Sequence, residues 1–494
     1  MLPSFRDSGC ERTETSIEAR ASVHPGPRSR VSYLSRADIL TREPFETQPL
    51  PETPRLMPSI VPTDGWSRAG LVGLYVFAFF GLLGITPATV GLVLLTLAFL
   101  IRFDAWRRLA RDPVALTALA FGLYVAVHSA IAYVLQPTPA LAQAVVENGS
   151  DWLKLLLFIP LAYWVAGRPD RVRLVLLLGL AGFTLATFRK IDWASLDAAF
   201  FSTRFESYLP AIAFGMFAGL GALGLLATRR AFWAVRDRPW QRWLAITLWA
   251  VWLLILLEGL LLSQSRGSWL GFLGGLTVLM LLEWRARQVT TATPTRRRWA
   301  AILLVVAVLG VILSTQYQTI GMRLTDQTET LQQVMSGDVT EVTSDPVGLR
   351  VNALLFTVEK WRERPWFGWG AGTSREWIAT SGRTDTLLDN VNWLPHLHNA
   401  YAETLFQFGS IGLLLAVALV WALVRATGDE CRAGRLPADL CRLFLMTLVF
   451  VLIWNLFNYR VVRSDWMVFW ILLAGSAYSF RLARLTEPPG DGRG

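Results

Sequence analysis

The feature that most limits how this chain can fold is a series of apolar runs that recurs from residue 69 to residue 481. Runs of roughly 20 apolar residues match a bilayer hydrocarbon core of about 30 Å, and a soluble domain has no use for so many in series. Of the 494 residues 53% are hydrophobic, with 22 Trp and 27 Phe, so the length goes into one polytopic domain. The runs fall at about 69–86, 88–102, 113–135, 152–167, 172–188, 209–228, 243–262, 267–284, 299–315, 401–424, 438–457 and 464–481. They predict an all-α membrane protein of about twelve transmembrane helices.

The loops between the runs alternate in charge. Arg107, Arg108 and Arg111 follow a cation-free turn near 86–89, and Arg168, Arg171 and Arg173 follow the cation-free segment 136–151. The same alternation continues through Arg229 and Arg230, Arg296 to Arg298, Arg425 and Arg432, and Arg481 and Arg484. Positive loops resist translocation, so the Arg-rich set is expected inside, with both termini cytoplasmic. Residues 1–66 are polar, lack an apolar core like that of a signal peptide, and are expected to be a disordered cytoplasmic tail. Met57 just before the first run is an alternative start. The membrane domain is expected at 67–484, and 485–494 form a second cytoplasmic tail. The net charge of +10 is dispersed through the inner loops, as topology requires, and is not gathered into a nucleic-acid-binding stripe. Cys10, Cys431 and Cys441 have no metal-ligand spacing, and no disulfide framework is expected.

One connection departs from the short-loop rule. Residues 316–400 form an outer loop far longer than ordinary connections, and loops of this length in compact proteins carry function. It holds helical patterns at 322–334 and 351–361 and a glycine-rich turn, PWFGWGAG, at 365–372.

A few cations break the topology rule by standing at outer ends of the spans: Arg189, Lys190, Arg204, Arg266 and Arg350. An anionic ligand at the outer face is a reason for them to be there. Arg266 lies in SQSRGSWLG, where its fork suits phosphate oxygens; Ser265 and Gly267 flank it and permit close approach. The competing reading is an arginine snorkelling to the interface. His398 opens a span within HLHNAYAETLFQFG, and imidazole suits proton transfer near neutral pH. The competing reading there is a helix start, with Asn399 as cap and His398 incidental. Arg350 heads the pattern GLRVNALLF, and Arg204 lies in STRFESYLP, where a local pair with Glu206 competes with a ligand role. His128, inside a run, is expected to pack. No phosphate-binding P-loop, dinucleotide fingerprint, nucleophile elbow or outer acidic cluster is present.

The order of these pieces resembles the O-antigen ligase family, which is related to O-antigen polymerases and protein O-oligosaccharyltransferases. An SRGxWLG-like turn, an arginine upstream in a long outer loop, a P-x-x-G-x-G turn and a His-Asn pair opening the next span occur in one order over roughly 70–480. The resemblance implies a metal-independent glycosyltransferase of the bacterial inner membrane, facing the periplasm and needing no cofactor. It implies a glycan donor on undecaprenyl diphosphate and a lipid A–core acceptor. It also implies a diphosphate held by Arg266, Arg350 and Arg204, with His398 as the essential histidine. Polymerase and protein-transferase activities remain alternatives. A twelve-span transporter fits less well, because the polar candidates gather at one face and not at the midplane.

Overall fold

The computed structural model of the chain describes residues 64–191, 193–195, 205, 207–234, 238–288, 321, 346–381, 388–389 and 392–486. Arg204, the expected span at 299–315, the helical pattern at 322–334 and Cys10 lie outside the described residues. Among the described residues the regular structure is helical except for one two-residue antiparallel ladder, β1 (Leu388–Asp389) with β2 (Asn392–Trp393).

The helices are α1 (Gly65–Phe80), α2 (Ile85–Leu100), α3 (Phe103–Leu109), α4 (Pro113–Leu135), α5 (Pro139–Lys154), α6 (Phe158–Val165), α7 (Pro169–Lys190) and α8 (Ala211–Ala234). Then follow α9 (Pro239–Leu262), α10 (Arg266–Gln288), α11 (Pro346–Glu363), α12 (Ser374–Ala379), α13 (Ala400–Arg432), α14 (Ala438–Trp454) and α15 (Ser464–Thr486). Seven of them, α4, α7, α8, α9, α10, α13 and α15, are long and apolar enough to cross a membrane, and α1 and α2 are shorter apolar helices. The protein is therefore an all-α membrane protein.

Three sequence expectations shift. First, α1 begins before residue 67: Asp64 caps it by accepting from the Ser67 N–H at 2.6 Å, so Gly65 and Trp66 are helical. Second, the segment 136–151, expected as a loop, is helical from Pro139 onward, as part of α5. Thr138 caps it, Pro139 opens it, and Leu141, Val145, Gly149 and Trp152 are buried along one stripe. Its Gln, Glu and Asn residues read as loop because they occupy the other face of an amphipathic helix. A 3₁₀ turn at Leu155–Leu157 then links α5 to α6, so the stretch expected as a span at 152–167 is helical through Val165. Third, a disulfide joins Cys431 to Cys441, against the expectation of none. The reversal between α13 and α14 brings their Cα atoms to 6.0 Å, a proximity that spacing alone did not convey.

Buried charge sets some of the helix contacts. Asp112 is fully buried; it caps α4 through Val114 N–H, accepts from the Tyr478 hydroxyl at 2.9 Å and pairs with Arg481 at 2.5 Å. One carboxylate thus ties the start of α4 to the last turns of α15.

The longest helix, α13, has 33 residues, or roughly 50 Å at 1.5 Å per residue, which exceeds a bilayer core of about 30 Å. It is interrupted at Gly409, whose φ of 63° and ψ of −169° are not helical. Such a break releases backbone donors and acceptors that need partners where water is scarce. The glycine-rich turn 365–372 supplies them. Trp369 N–H donates to the Phe406 carbonyl and Gly370 N–H to that of Gln407, each at 2.9 Å. In return Ser410 N–H reaches the Pro365 carbonyl at 2.8 Å and Ile411 N–H that of Trp366 at 3.2 Å. The Tyr124 hydroxyl of α4 takes the remaining Phe408 carbonyl at 2.6 Å. Gln136 holds the turn from the other side by donating to the Trp369 carbonyl at 2.8 Å. His128 packs here as expected, its ring centroid 5.5 Å from Tyr124 and 5.3 Å from Phe408.

Two glycines make this interlock possible. A Cβ on Gly409 would collide with the Trp366 carbonyl, and one on Gly368 with the Phe406 carbonyl; both residues have positive φ. Gly409→Ala is therefore expected to lower the thermal midpoint of the purified protein by several degrees, since a side chain here meets both strain and collision. Gly428→Ala, in the same helix with only an arginine tip 3.9 Å from a new Cβ, should leave the midpoint unchanged. Equal midpoints for the two variants, followed by tryptophan fluorescence during heating, would contradict this account of the interlock.

Candidate functional site

The interlock fixes the first turns of α13, and these carry the histidine segment. Asn399 caps α13, its side-chain oxygen accepting from Tyr401 N–H at 2.9 Å and Ala402 N–H at 3.0 Å. The cap expected for Asn399 is therefore present. Its amide also donates to the Leu456 carbonyl at 3.1 Å, and Ala400 N–H donates to that of Asn455 at 2.9 Å. The start of α13 is thus stitched to the segment 455–463, which joins α14 to α15.

His398 precedes this cap in a left-handed conformation, with φ of 52°. A non-glycine residue there needs support from its surroundings. Two groups give it. The His398 N–H donates to His396 Nδ1 at 3.2 Å, and the two rings stand 4.4 Å apart. One residue earlier, Leu397 N–H donates to Glu403 Oε2 at 2.8 Å. Glu403 is buried and its other oxygen accepts from Ser374 Oγ at 2.5 Å and Gln407 Nε2 at 2.8 Å. Gln407 continues the chain to the Tyr459 hydroxyl at 3.2 Å and accepts from Trp152 Nε1 at 3.1 Å. The histidine segment therefore rests on a fully bonded polar network. Helical spacing places Glu403 and Gln407 on one face, but only the fold shows what they hold.

The Arg266 turn reaches the same place from α9 and α10. Gln264 turns the chain with a φ of 48°, and Ser265 caps α10 by accepting from Ser268 N–H at 3.4 Å. Ser268 in turn accepts from Trp454 Nε1 of α14 at 3.2 Å. A Cβ on Gly267 would stand 3.3 Å from Asn458 Nδ2 and from Phe457 Cβ. So the first turn of α10 lies against segment 455–458, the segment that also holds Asn399 and Ala400. Ser265 serves as a cap and Gly267 as a close-packing position. Arg266 occupies the first residue of its helix.

Arg350 is placed by packing. It sits one turn before Ala353 on α11, and Ala353 and Phe356 form a small buried cluster with Trp369, Ile378, Leu394, Leu397 and Phe406. That cluster joins α11, the glycine-rich turn and the residue next to His398. Arg204 lies outside the described residues, but its neighbour Phe205 donates its N–H to the Leu262 carbonyl, just ahead of the Arg266 turn. Arg189 and Lys190 follow Phe188 at the end of α7. They form the last turn of α7, a favourable end for cations, and Arg189 donates to the Leu83 carbonyl at 3.3 Å.

Sequence reasoning overlooked two further cations. Arg460 and Arg463 lie in segment 455–463, between two runs and on the outer side by the same alternation that flagged the others. Arg460 is locked to Asp465 by two bonds of 2.9 Å. The His396 ring lies 5.7 Å from Tyr459. Burial, with the charges of His398, Arg463 and Arg460, holds the His396 imidazole well below its usual pKa, so it is neutral at neutral pH. Burial also pushes the Tyr459 hydroxyl well above its usual range. Among the described residues no three His, Cys, Asp or Glu side chains gather in a way that could hold a metal.

Beside the Arg266 turn is an apolar cavity of about 440 Å³ between α7, α8 and α9. Phe188, Trp193, Phe205 and Leu262 line it, with Glu258 as its one carboxylate.

The neutral state of His396 has a consequence for stability. The unfolded chain protonates a histidine near pH 6.5, while the folded protein resists it until the pH is well below that. Stability from this residue is thus present above about pH 6.5 and lost as the pH falls through that value, at up to roughly 1.4 kcal/mol per pH unit. The thermal midpoint should therefore fall more steeply between pH 7.5 and 5.5 in the wild type than in His396→Gln. Parallel melting curves across that range would show that His396 is not held neutral.

Residues 249–417 match the family model described as O-antigen ligase. The matched stretch contains Arg266, Arg350, His398, Asn399 and Gly409, and stops short of Arg460 and Arg463. A comparison with curated proteins gives no match.

Proposed function

We propose that this membrane protein is an inner-membrane O-antigen ligase, which moves a glycan from undecaprenyl diphosphate to lipid A–core on the periplasmic side. The family match over 249–417 supports an enzyme of the O-antigen ligase or polymerase type. The observation that carries the finer reading is the meeting of two turns, Gln264–Gly267 and His396–Asn399, on segment 455–458. One turn bears a guanidinium and the other an imidazole. A lipid diphosphate and an acceptor hydroxyl need those two groups.

In the proposed reaction the acceptor oxygen attacks the anomeric carbon of the donor sugar. His398 takes the proton from that hydroxyl as the new glycosidic bond forms. The bond from the sugar to the diphosphate breaks, and its electron pair passes to a diphosphate oxygen. Arg266 and Arg350 stabilise the charge that builds there, with Arg204 assigned to the same task from sequence. The left-handed backbone at His398, held by His396 and by the Glu403 contact to Leu397, supports this role by limiting where the residue stands before substrate arrives. Catalysis then needs no metal, because fixed cations take the part of a Lewis acid. The donor's polyprenyl chain fits the cavity between α7, α8 and α9, whose lining is apolar and which adjoins the Arg266 turn. The twelve-span topology and the outer position of the site follow the arginine alternation. A polymerase would use the same donor chemistry with a second lipid-linked glycan as acceptor.

Deletion of the gene separates these readings. The ligase reading expects lipopolysaccharide reduced to core-only bands on gels, with full-length glycan still attached to the lipid carrier. Core bearing a single repeat unit would favour the polymerase.

The residue roles have their own test in a purified system with lipid-linked donor. His398→Ala is expected to lose about 10²–10⁴-fold in turnover while donor binding persists. Arg266→Lys keeps the charge but not the fork, and should weaken donor binding and transfer together. A His398→Ala protein that loses donor binding in step with turnover would mark His398 as a ligand or support, not a base.

A further inference from the structure

We infer that Arg463 is an additional phosphate-binding residue of this site, contacting a phosphate group on one of the two lipid-linked substrates. The inference rests on the ligase or polymerase reading of the site and adds a residue beyond the stretch matched to the family.

Three observations carry it. The first is place. Segment 455–463 is the floor on which the Arg266 turn and the His398 turn meet: Asn455 and Leu456 accept from α13, and Phe457 and Asn458 face Gly267 of α10. Tyr459, in the same segment, meets the His396 ring at 5.7 Å. Arg460 and Arg463 complete the segment, and both act on His396 through their charge.

The second is the division of labour between the two arginines. Arg460 and Asp465 form a two-bond ion pair in which the side chains keep 19% and 6% of their exposure. That pair neutralises Arg460 and fixes the turn, in which Arg463 N–H donates to the Arg460 carbonyl at 2.7 Å. Arg463 is exposed, and it forms no ion pair among the described residues. A turn held by this ion pair thus carries one guanidinium outside any ion pair among the described residues, in electrostatic reach of His396. A guanidinium held in place spends less entropy on binding than a floppy one, and its fork matches two phosphate oxygens.

The third is topology. By the arginine alternation this segment is an outer loop, where an arginine opposes the orientation rule. Arg460 is accounted for by Asp465. Arg463 is accounted for by an anion that arrives from outside the chain.

Phosphate is present on both substrates of the proposed reaction, as the donor's diphosphate and as phosphate groups on the acceptor. The experiment distinguishes them. Full-length Arg463→Gln, Arg463→Lys and a charge control, Arg242→Gln at an exposed position of α9, are purified in lipid nanodiscs. KM is measured separately for the lipid-linked donor and for acceptor with and without its phosphates, and undecaprenyl diphosphate without glycan is used as a competitor. A charge-assisted bond predicts a roughly 10–100-fold rise in one KM for Arg463→Gln, with partial recovery in Arg463→Lys. A rise for the donor, with matching loss of competition by undecaprenyl diphosphate, assigns the diphosphate. A rise confined to phosphorylated acceptor assigns the acceptor's phosphate. Unchanged KM values for both substrates, or the same change in Arg242→Gln, overturn the inference while leaving the proposed function standing. Absence of glycan transfer by the wild type overturns the proposed function itself.

Discussion

A helix that breaks in a membrane protein must find partners for the backbone groups it releases, and here that demand organises the site. The break at Gly409 exposes the carbonyls of Phe406, Gln407 and Phe408 and the N–H groups of Ser410 and Ile411. The turn at 365–372 and the Tyr124 hydroxyl satisfy all five. A buried polar group left without a partner costs on the order of 1–3 kcal/mol, so this set of bonds holds the turn firmly against the helix. The end of the long connection is thereby fixed against α13. The histidine segment, caught between that connection and α13, inherits the rigidity.

The polar network beneath the histidines serves the same end by different means. Glu403 is buried with no cation beside it in its bonded set; it is satisfied instead by a hydroxyl, an amide and a backbone N–H. Acceptors saturated in this way keep a single geometry, since any rotation would leave a buried oxygen unpaired. His396 belongs to this support. It accepts from the His398 backbone and stays neutral because burial and neighbouring cations oppose its protonation. The cationic groups of segment 455–463 therefore coexist with a neutral imidazole at His396.

The arginines illustrate how one residue type does three jobs in one molecule. Arg481 and Arg173 pair with Asp112 and Asp439 and fasten helices to each other. Arg460 fastens a turn. Arg266 and Arg463 stand on turns that converge from different parts of the chain. Composition alone cannot separate these settings, because each depends on what the fold brings beside the side chain.

The sequence by itself determined the class of fold and the list of suspects. Apolar runs of bilayer length, with arginines alternating between them, dictate membrane helices, because lipid tolerates neither charge nor unpaired backbone. The SRGSWLG and HLHN turns were legible because their residue types suit phosphate and proton transfer, and Asn399 was legible as a cap from local rules. Only the tertiary structure decided the rest. It converted PWFGWGAG from a suspected site turn into the partner of a broken helix, since the break at Gly409 has no signature beyond one glycine. It made residues 139–154 a helix, joined Cys431 to Cys441, and brought segment 455–458 against both the Gln264–Gly267 turn and the start of α13. Residues 267 and 458, or 397 and 403, meet through packing across helices or through a turn closed on its own helix. Periodicity records which face of an element is buried, and is silent on what that face is buried against.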